Sequence, residues 1–349
     1  MLVWLSGLAV LPAQAAFSSL YIFGDGVCTT TASIDPSVAY LYYGNRFCNG
    51  RIWVEVLAQR QGLTYDASKN LSYYGHYSAD LVGEVNGFSA TDATNSLFVV
   101  WVNDADFSWN MQYIYDVYGA DLALWENAIS SSLANHLTII QTLYAKGART
   151  LIMPNAVDIA EVPQYSGSGD PSFIRQMVVN FDTSFVTMLN QAKASLPGLT
   201  IYVPDFFTLL DTLLAYPANY GLVNPGIDAI EDPNLTDFSL NGPGAYYVFW
   251  DELDPTAKAH EIMADIAQHL VSPATFSNLN LLNGSNQLVV ANVPLGLSGF
   301  VDGRTNLVSG SWTSVTNFNS TSATQSIFVP ASGPPQFYRL RFPFAWSWP

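Results

Sequence analysis

The sequence predicts an α/β domain with a mainly parallel sheet, followed by a small all-β unit. Three observations carry this reading. Apolar runs of strand length alternate with segments of helical periodicity from about residue 19 to 270. The runs are apolar at consecutive positions, as strands buried on both faces of a parallel sheet require. After Val271-Ser272-Pro273 the composition changes, and Gly, Asn, Ser and Thr separate short β-type runs.

In chain order, the first core strand is Ser19-Leu20-Tyr21-Ile22-Phe23, ending at Gly24-Asp25-Gly26. A helix follows at Arg51 to Ala58, with apolar residues at helical spacing. Leu97-Phe98-Val99-Val100-Trp101-Val102 is the next buried strand, closed by Asn103-Asp104. A long amphipathic helix from about Asp121 to Lys146 stops at Gly147 and leads into the strand Thr150-Leu151-Ile152-Met153. The pattern repeats with a helix from Ser172 to about Ser195, then Pro197-Gly198 and the strand Thr200-Ile201-Tyr202-Val203. The last helix runs from Pro255, which suits a first helical turn, to about Leu270. The runs at 287–290, 325–329 and 336–342 place a small β domain over residues 274–349. Carbohydrate binding, surface attachment and the covering of an apolar face are all open roles for it.

The formal net charge is -16, from 28 acidic against 12 basic residues. A field of that sign repels nucleic acid and anionic lipid headgroups, and leaves neutral ligands such as esters and sugars. An apolar N-terminal stretch leads to Pro12 and an A-x-A site at Ala13-Gln14-Ala15. It reads as a signal peptide over residues 1–15 and predicts a secreted or cell-surface protein; a buried N-terminal segment is the alternative. No segment reads as an integral membrane span. In an exported chain the two cysteines, Cys28 and Cys48, are expected to form a disulfide stabilising by roughly 3 kcal/mol.

Functional groups of an open parallel sheet gather at the carboxyl ends of its strands. Several such places here carry motifs in a fixed order: Tyr21-Ile22-Phe23-Gly24-Asp25-Gly26, then Gly44 to Glu55 (GNRFCNGRIWVE), then Asn70-Leu71-Ser72-Tyr73-Tyr74-Gly75. Trp101-Val102-Asn103-Asp104, Pro154-Asn155-Ala156-Val157-Asp158 and Phe249-Trp250-Asp251-Glu252-Leu253-Asp254-Pro255-Thr256 follow. Together they resemble the blocks of the SGNH/GDSL esterase and lipase family over residues 17–270. The resemblance implies a flavodoxin-like three-layer fold for residues 16–271 and an ester hydrolase lineage acting on acylated lipids or carbohydrates. It implies no cofactor.

It also assigns roles. Gly26 stands where the family has its nucleophilic serine, and Asp254 where it has the histidine base. Asp251 corresponds to the aspartate that orients that histidine. Gly75 matches the glycine that gives an N–H to the oxyanion hole. The oxyanion asparagine falls on Asn103 if the Asn-Asp pair itself is matched, or on Ala105 if Asp106-Phe107 is. Losing serine or histidine from such a triad costs on the order of a millionfold in turnover, so the serine mechanism is expected to be disabled.

Other residues bear on a replacement chemistry. His76 follows Gly75 and is a candidate base; a hydrogen-bonded loop histidine is the alternative. His260 is read as non-catalytic, and His136 and His269 as helix-surface residues. Cys28 as a thiolate competes with the disulfide, and Thr29, Thr30 and Thr31 read as capping and packing groups. Asp25, Asp104, Asp251 and Asp254 would make an acidic pocket if the fold joins them, suited to carboxylate acid/base chemistry or to a hard cation. Tyr73, Tyr74, Tyr77, Trp101 and Trp250 flank these blocks and suit stacking on a ligand or core packing alike.

Overall fold

The computed structural model describes residues 17–282, 284–307, 309–331, 337–342 and 346–348. The expected signal peptide at 1–15 lies outside them. Four strands form one parallel sheet in the order β1 (Leu20–Gly24), β2 (Leu97–Trp101), β3 (Thr150–Ile152), β4 (Thr200–Tyr202). Every residue of β1 and β2 is buried, which accounts for their unbroken apolar sequences. Residues 70–73 run along the free edge of β1: Ile22 bridges Asn70 in parallel, and Leu71 N–H and Tyr73 N–H donate to Ile22 O (2.8 Å) and Gly24 O (3.1 Å). Counting that segment, the chain leaves β1 to one side and crosses back to the other at β2. This is the flavodoxin-like order, and its crevice opens at the carboxyl ends of β1 and β2.

Helices α1 (Trp53–Arg60) and α8 (Ala257–Val271) pack together on one face of the sheet. On the other lie α2 (Ser78–Gly87), α5 (Leu122–Ala145) and α6 (Pro171–Ser195). The remaining helices are α3 (Asn103–Asn110), running through a π turn at Met111–Tyr115 into the single turn α4 (Asp116–Tyr118), and α7 (Phe206–Ala215). Phe206 completes an edge-to-face aromatic cluster with Trp53 and Trp101.

The motif around residues 44–55 is held by its own polar groups. Glu55 accepts from Ile52 N–H (3.1 Å), capping α1, and takes both arms of Arg46 at 2.7 and 2.6 Å. Asn49 accepts from Ala257 N–H and donates to Leu240 O, each at 2.8 Å. Gly50 is required where this loop meets α8, since a Cβ there would fall 2.7 Å from Ala257 Cβ. Pro255 lies outside α8, contrary to expectation. Thr256 takes the capping position, accepting from Ala259 N–H while donating to Tyr247 O (2.7 Å).

Beyond α8 the chain forms two antiparallel sheets. One comprises β5 (Thr275–Leu282), β6 (Ser285–Ala291) and β9 (Thr324–Pro330) in the order β5-β6-β9. The other is β11-β10-β7-β8, from β7 (Ser298–Arg304), β8 (Thr313–Asn319), β10 (Phe337–Phe342) and β11 (Trp346–Trp348). Val290, Val301, Ile327 and Leu340 form a core of their own. Arg60 joins the two units, pairing with Asp265 (2.7 Å) and donating to Leu295 O (3.1 Å). Among the described residues no helix is long and apolar enough to cross a membrane.

Candidate functional site

The carboxyl ends of β1 and β2 open into a cleft with about 900 Å³ of free volume. Asp25 and Gly26 reach it from the end of β1, Tyr74 and Gly75 from the edge segment, Asp104 and Ala105 from the start of α3, and Asp254 from the loop before α8. Gly75 turns the chain at a φ of +83°, which favours glycine. Asp25 accepts from Val27 N–H (3.1 Å) and from Ala105 N–H, yet burial pushes its carboxyl up to about 7.

The position of the expected nucleophile is covered rather than vacant. A Cβ on Gly26 would lie 3.2 Å from Tyr74 Cδ2 and 3.8 Å from Phe47 Cδ2, and those two rings pack with centroids 5.1 Å apart.

At the expected histidine position, Asp251 makes a tight turn. Its Oδ1 accepts from Leu253 N–H (3.0 Å) and Asp254 N–H (2.8 Å), and its Oδ2 from Tyr42 O–H (3.0 Å). Burial raises Asp251 to about 6. Asp254 is held well above the carboxylate range by burial, by the charges of Asp251 and Asp25, and by its hydrogen bond to Asp251. Asp254 is therefore held protonated beside Asp251, where the resemblance expects an aspartate–histidine pair.

The geometry separates the two matches for the oxyanion asparagine. Asn103 does not reach the cleft: it is wholly buried, with its Nδ2 donating to Pro154 O (2.9 Å). Ala105 lines the cleft instead. Asp106 beside it accepts from Ser78 N–H (2.9 Å) and from the Ser132 hydroxyl. A methyl group thus stands where the resemblance expects a side-chain amide. Asp104 accepts from Val157 N–H (3.0 Å), and burial and Asp25 raise it well above its ordinary value.

His76 is not among the described residues lining the cleft. Its ring packs on Tyr73 at 5.2 Å, its Nδ1 lies 3.8 Å from Glu84 Oε2, and burial lowers its pKa. The expected disulfide is corrected: Cys28 and Cys48 are free, buried thiols in separate niches. Cys28 packs on Gly24 and Cys48 faces Asn49, and burial raises both well above the thiol range, which also removes Cys28 as a thiolate. Thr29 accepts from Thr31 N–H, while Thr30 pairs with the Tyr65 hydroxyl at 2.7 Å.

His136 is not on the surface either. It is fully buried against Phe185, with Nδ1 2.8 Å from Ser132 O. His260 accepts from Trp53 N–H (3.2 Å), and burial lowers it to about 3, so it braces α1 against α8. Trp101 and Trp250 belong to the core, whereas Tyr74 and Tyr77 line the cleft.

Three of the four pocket aspartates, Asp25, Asp104 and Asp254, line one cleft, with Asp251 supporting the last. Among the described residues, no three His, Cys, Asp or Glu side chains are placed to hold a metal ion. One feature escaped sequence reasoning. A narrow apolar recess adjoins the cleft, lined by Phe206, Leu209, Leu213 and Met263, and meets it along Val27, Asp104, Val157 and Leu253. Its lining comes from distant helices whose apolar faces read simply as core.

The sequence model of the GDSL-like lipase/acylhydrolase family matches residues 20–267. The chain belongs to this family. Among relatives, it is 22% identical over 331 residues to a GDSL esterase/lipase of Arabidopsis thaliana, covering 74% of this chain and 90% of that protein. It is 26% identical over 253 residues to the phosphatidylcholine-sterol acyltransferase of Aeromonas hydrophila, covering 63% and 69%. The solved structure of phospholipase A1 from Streptomyces albidoflavus is similar with a TM-score of 0.45 at 10% identity, covering 73% of this chain and all of that one. Positions 26, 105 and 254, where the resemblance expects serine, asparagine and histidine, all line the cleft.

Proposed function

We propose that this GDSL-like domain binds a neutral, acylated ligand in its cleft and does not hydrolyse it by the family's serine mechanism. The observation that carries the reading is the coincidence of Gly26, Ala105 and Asp254 on an otherwise complete cleft. At these three positions there is no hydroxyl to attack, no imidazole to activate it and no amide to steady an oxyanion. The polar cleft joined to an apolar recess supports a ligand with a polar body and an acyl group.

The test is turnover of short-chain p-nitrophenyl esters by the wild type beside Gly26→Ser/Asp254→His and the triple variant with Ala105→Asn. Wild type at background with turnover in a variant supports a silent cleft. Robust wild-type turnover overturns it.

A second reading, carboxylate acid/base chemistry, is favoured by one observation: Asp25 and Asp254 face one cleft with both carboxyls raised. It predicts hydrolysis of aryl glycosides that Asp254→Asn abolishes; no such hydrolysis by the wild type removes it. Export is proposed from the A-x-A site and the charge-poor composition, and N-terminal sequencing of the secreted protein should begin at Ala16. An intact Met1 in the mature protein would overturn it.

A further inference from the structure

We infer that the aromatic rim formed by Trp109 and Tyr113, with Tyr74 and Tyr77 at the cleft mouth, is a stacking subsite for a neutral oligosaccharide that leads into the cleft. The inference deepens the binding reading above and rests on it for the cleft's occupant.

The argument starts from helical geometry. Ser108 and Gln112, four residues apart, line the cleft. Their sequence neighbours Trp109 and Tyr113 therefore form the adjacent stripe, and the two rings pack with centroids 5.0 Å apart at an interplanar angle of 34°. Both keep a solvent-facing surface, Trp109 39% exposed and Tyr113 53%, so a ligand can reach them. The stripe lies where α3 passes into its π turn, a backbone irregularity that recurs at functional sites. Tyr74 is 56% exposed and, with Tyr77, lines the same cleft as Ser108 and Gln112, so aromatic surface continues inward.

The polar chemistry selects the occupant. Among the described residues lining the cleft there is no lysine or arginine, but there are four acids, Asp25, Asp104, Glu252 and Asp254. Of these, Asp104 and Asp254, kept largely protonated by burial, both donate to and accept from hydroxyl groups, and the described lining holds no cation to fix a phosphate or carboxylate. Gln164 also lines the cleft, with its Oε1 buried and without a protein partner, so an acceptor is already withdrawn from water there. Flat apolar rings next to hydroxyl-accepting side chains match a pyranose, whose C–H face is apolar and whose rim is hydroxylated. An anionic membrane surface satisfies the rings but finds no cation in the described cleft lining and meets a chain of net charge -16.

The experiment is isothermal titration and tryptophan fluorescence of the full chain with cellohexaose, xylohexaose and mannohexaose, each with and without O-acetyl groups. Phosphatidylcholine vesicles serve as the competing probe. At least one neutral hexasaccharide should bind, and Trp109→Ala and Tyr113→Ala should each weaken it about tenfold, the worth of one stacked ring. Both side chains are exposed, so circular dichroism of each variant should match the wild type. Absence of binding across the panel, unchanged affinity in both variants, or Trp109-dependent binding to vesicles instead of sugars overturns the subsite. Acetate release is followed in the same samples. Release by the wild type would sink the silent-cleft reading while leaving the rim in place, and unchanged rim variants with cleft binding intact would do the reverse.

Discussion

Replacing Asp25 with Asn should change how the stability of this protein depends on pH. The folded chain holds the Asp25 carboxyl at about 7 against an ordinary value of 3.8, chiefly through burial. It therefore binds that proton more tightly than the unfolded chain does. The stability contributed is whole below about pH 4 and is lost as pH rises towards 7. A displacement of this size corresponds to about 4 kcal/mol at full expression. For a domain of this size that is on the order of 10 °C in melting temperature. The Asn variant keeps an acceptor for Val27 N–H and Ala105 N–H but does not titrate. Other raised carboxyls, Asp182 at about 7 and Asp265 at about 6, give both proteins a slope of the same sign, so the difference between the two curves reports Asp25 together with its coupling to Asp104 and Asp254. Thermal melts of both proteins from pH 4.5 to 7.5 are the assay. The wild type should lose about 10 °C more than the variant over that range. Parallel curves would refute the claim that Asp25 is forced to bind its proton by burial.

Two further expectations concern groups outside the cleft. Without reductant, Ellman's reagent should find no reactive thiol in the native protein and two after unfolding, since Cys28 and Cys48 are buried and unpaired; none after unfolding would restore the disulfide. Arg60→Ala should cost about 3–5 kcal/mol in urea unfolding, because it leaves the Asp265 carboxylate buried without its partner. Arg60→Met/Asp265→Leu should recover most of that, and a loss below about 1 kcal/mol for the single variant would contradict the pairing.

The sheet was legible because β1 and β2 are buried on both faces and have no polar position to obscure them. The edge segment at 70–73 was not, since Asn70-Leu71-Ser72-Tyr73 is held by backbone bonds to β1 rather than by an apolar pattern. Motif order placed Gly26, Gly75 and Asp254 on one cleft, as the structure does. It left the oxyanion position open between Asn103 and Ala105, since a dipeptide match and a register match disagree; the structure buries Asn103 and puts Ala105 on the cleft. His136 was misread for a different reason. On a long helix with mixed faces a single polar residue reads as solvent-facing, and here the Ser132 carbonyl satisfies its Nδ1 inside the core. The recess beside the cleft was beyond sequence reasoning, because apolar residues lining a cavity look the same as those filling a core.

The survival of Asp251 without a histidine to orient has an explanation that needs no catalysis. In this turn its carboxylate takes two backbone N–H groups and the Tyr42 hydroxyl, at 2.8, 3.0 and 3.0 Å. Trp250 beside it donates to Leu41 O (2.9 Å), and Thr256 caps α8. Trp250, Asp251 and Thr256 thus each serve the folding of this loop, while position 254, where the resemblance expects histidine, puts its side chain on the cleft. The consequence is testable. Asp251→Ala strands two buried N–H donors and should cost about 2–4 kcal/mol, whereas Asp251→Asn keeps an acceptor for both and should cost far less. The ordering should hold in urea unfolding at pH 7, where Asp251 is largely ionised. Equal, small losses for both substitutions would mean that the turn does not depend on this carboxylate, and retention of Asp251 would then argue for chemistry in the cleft after all.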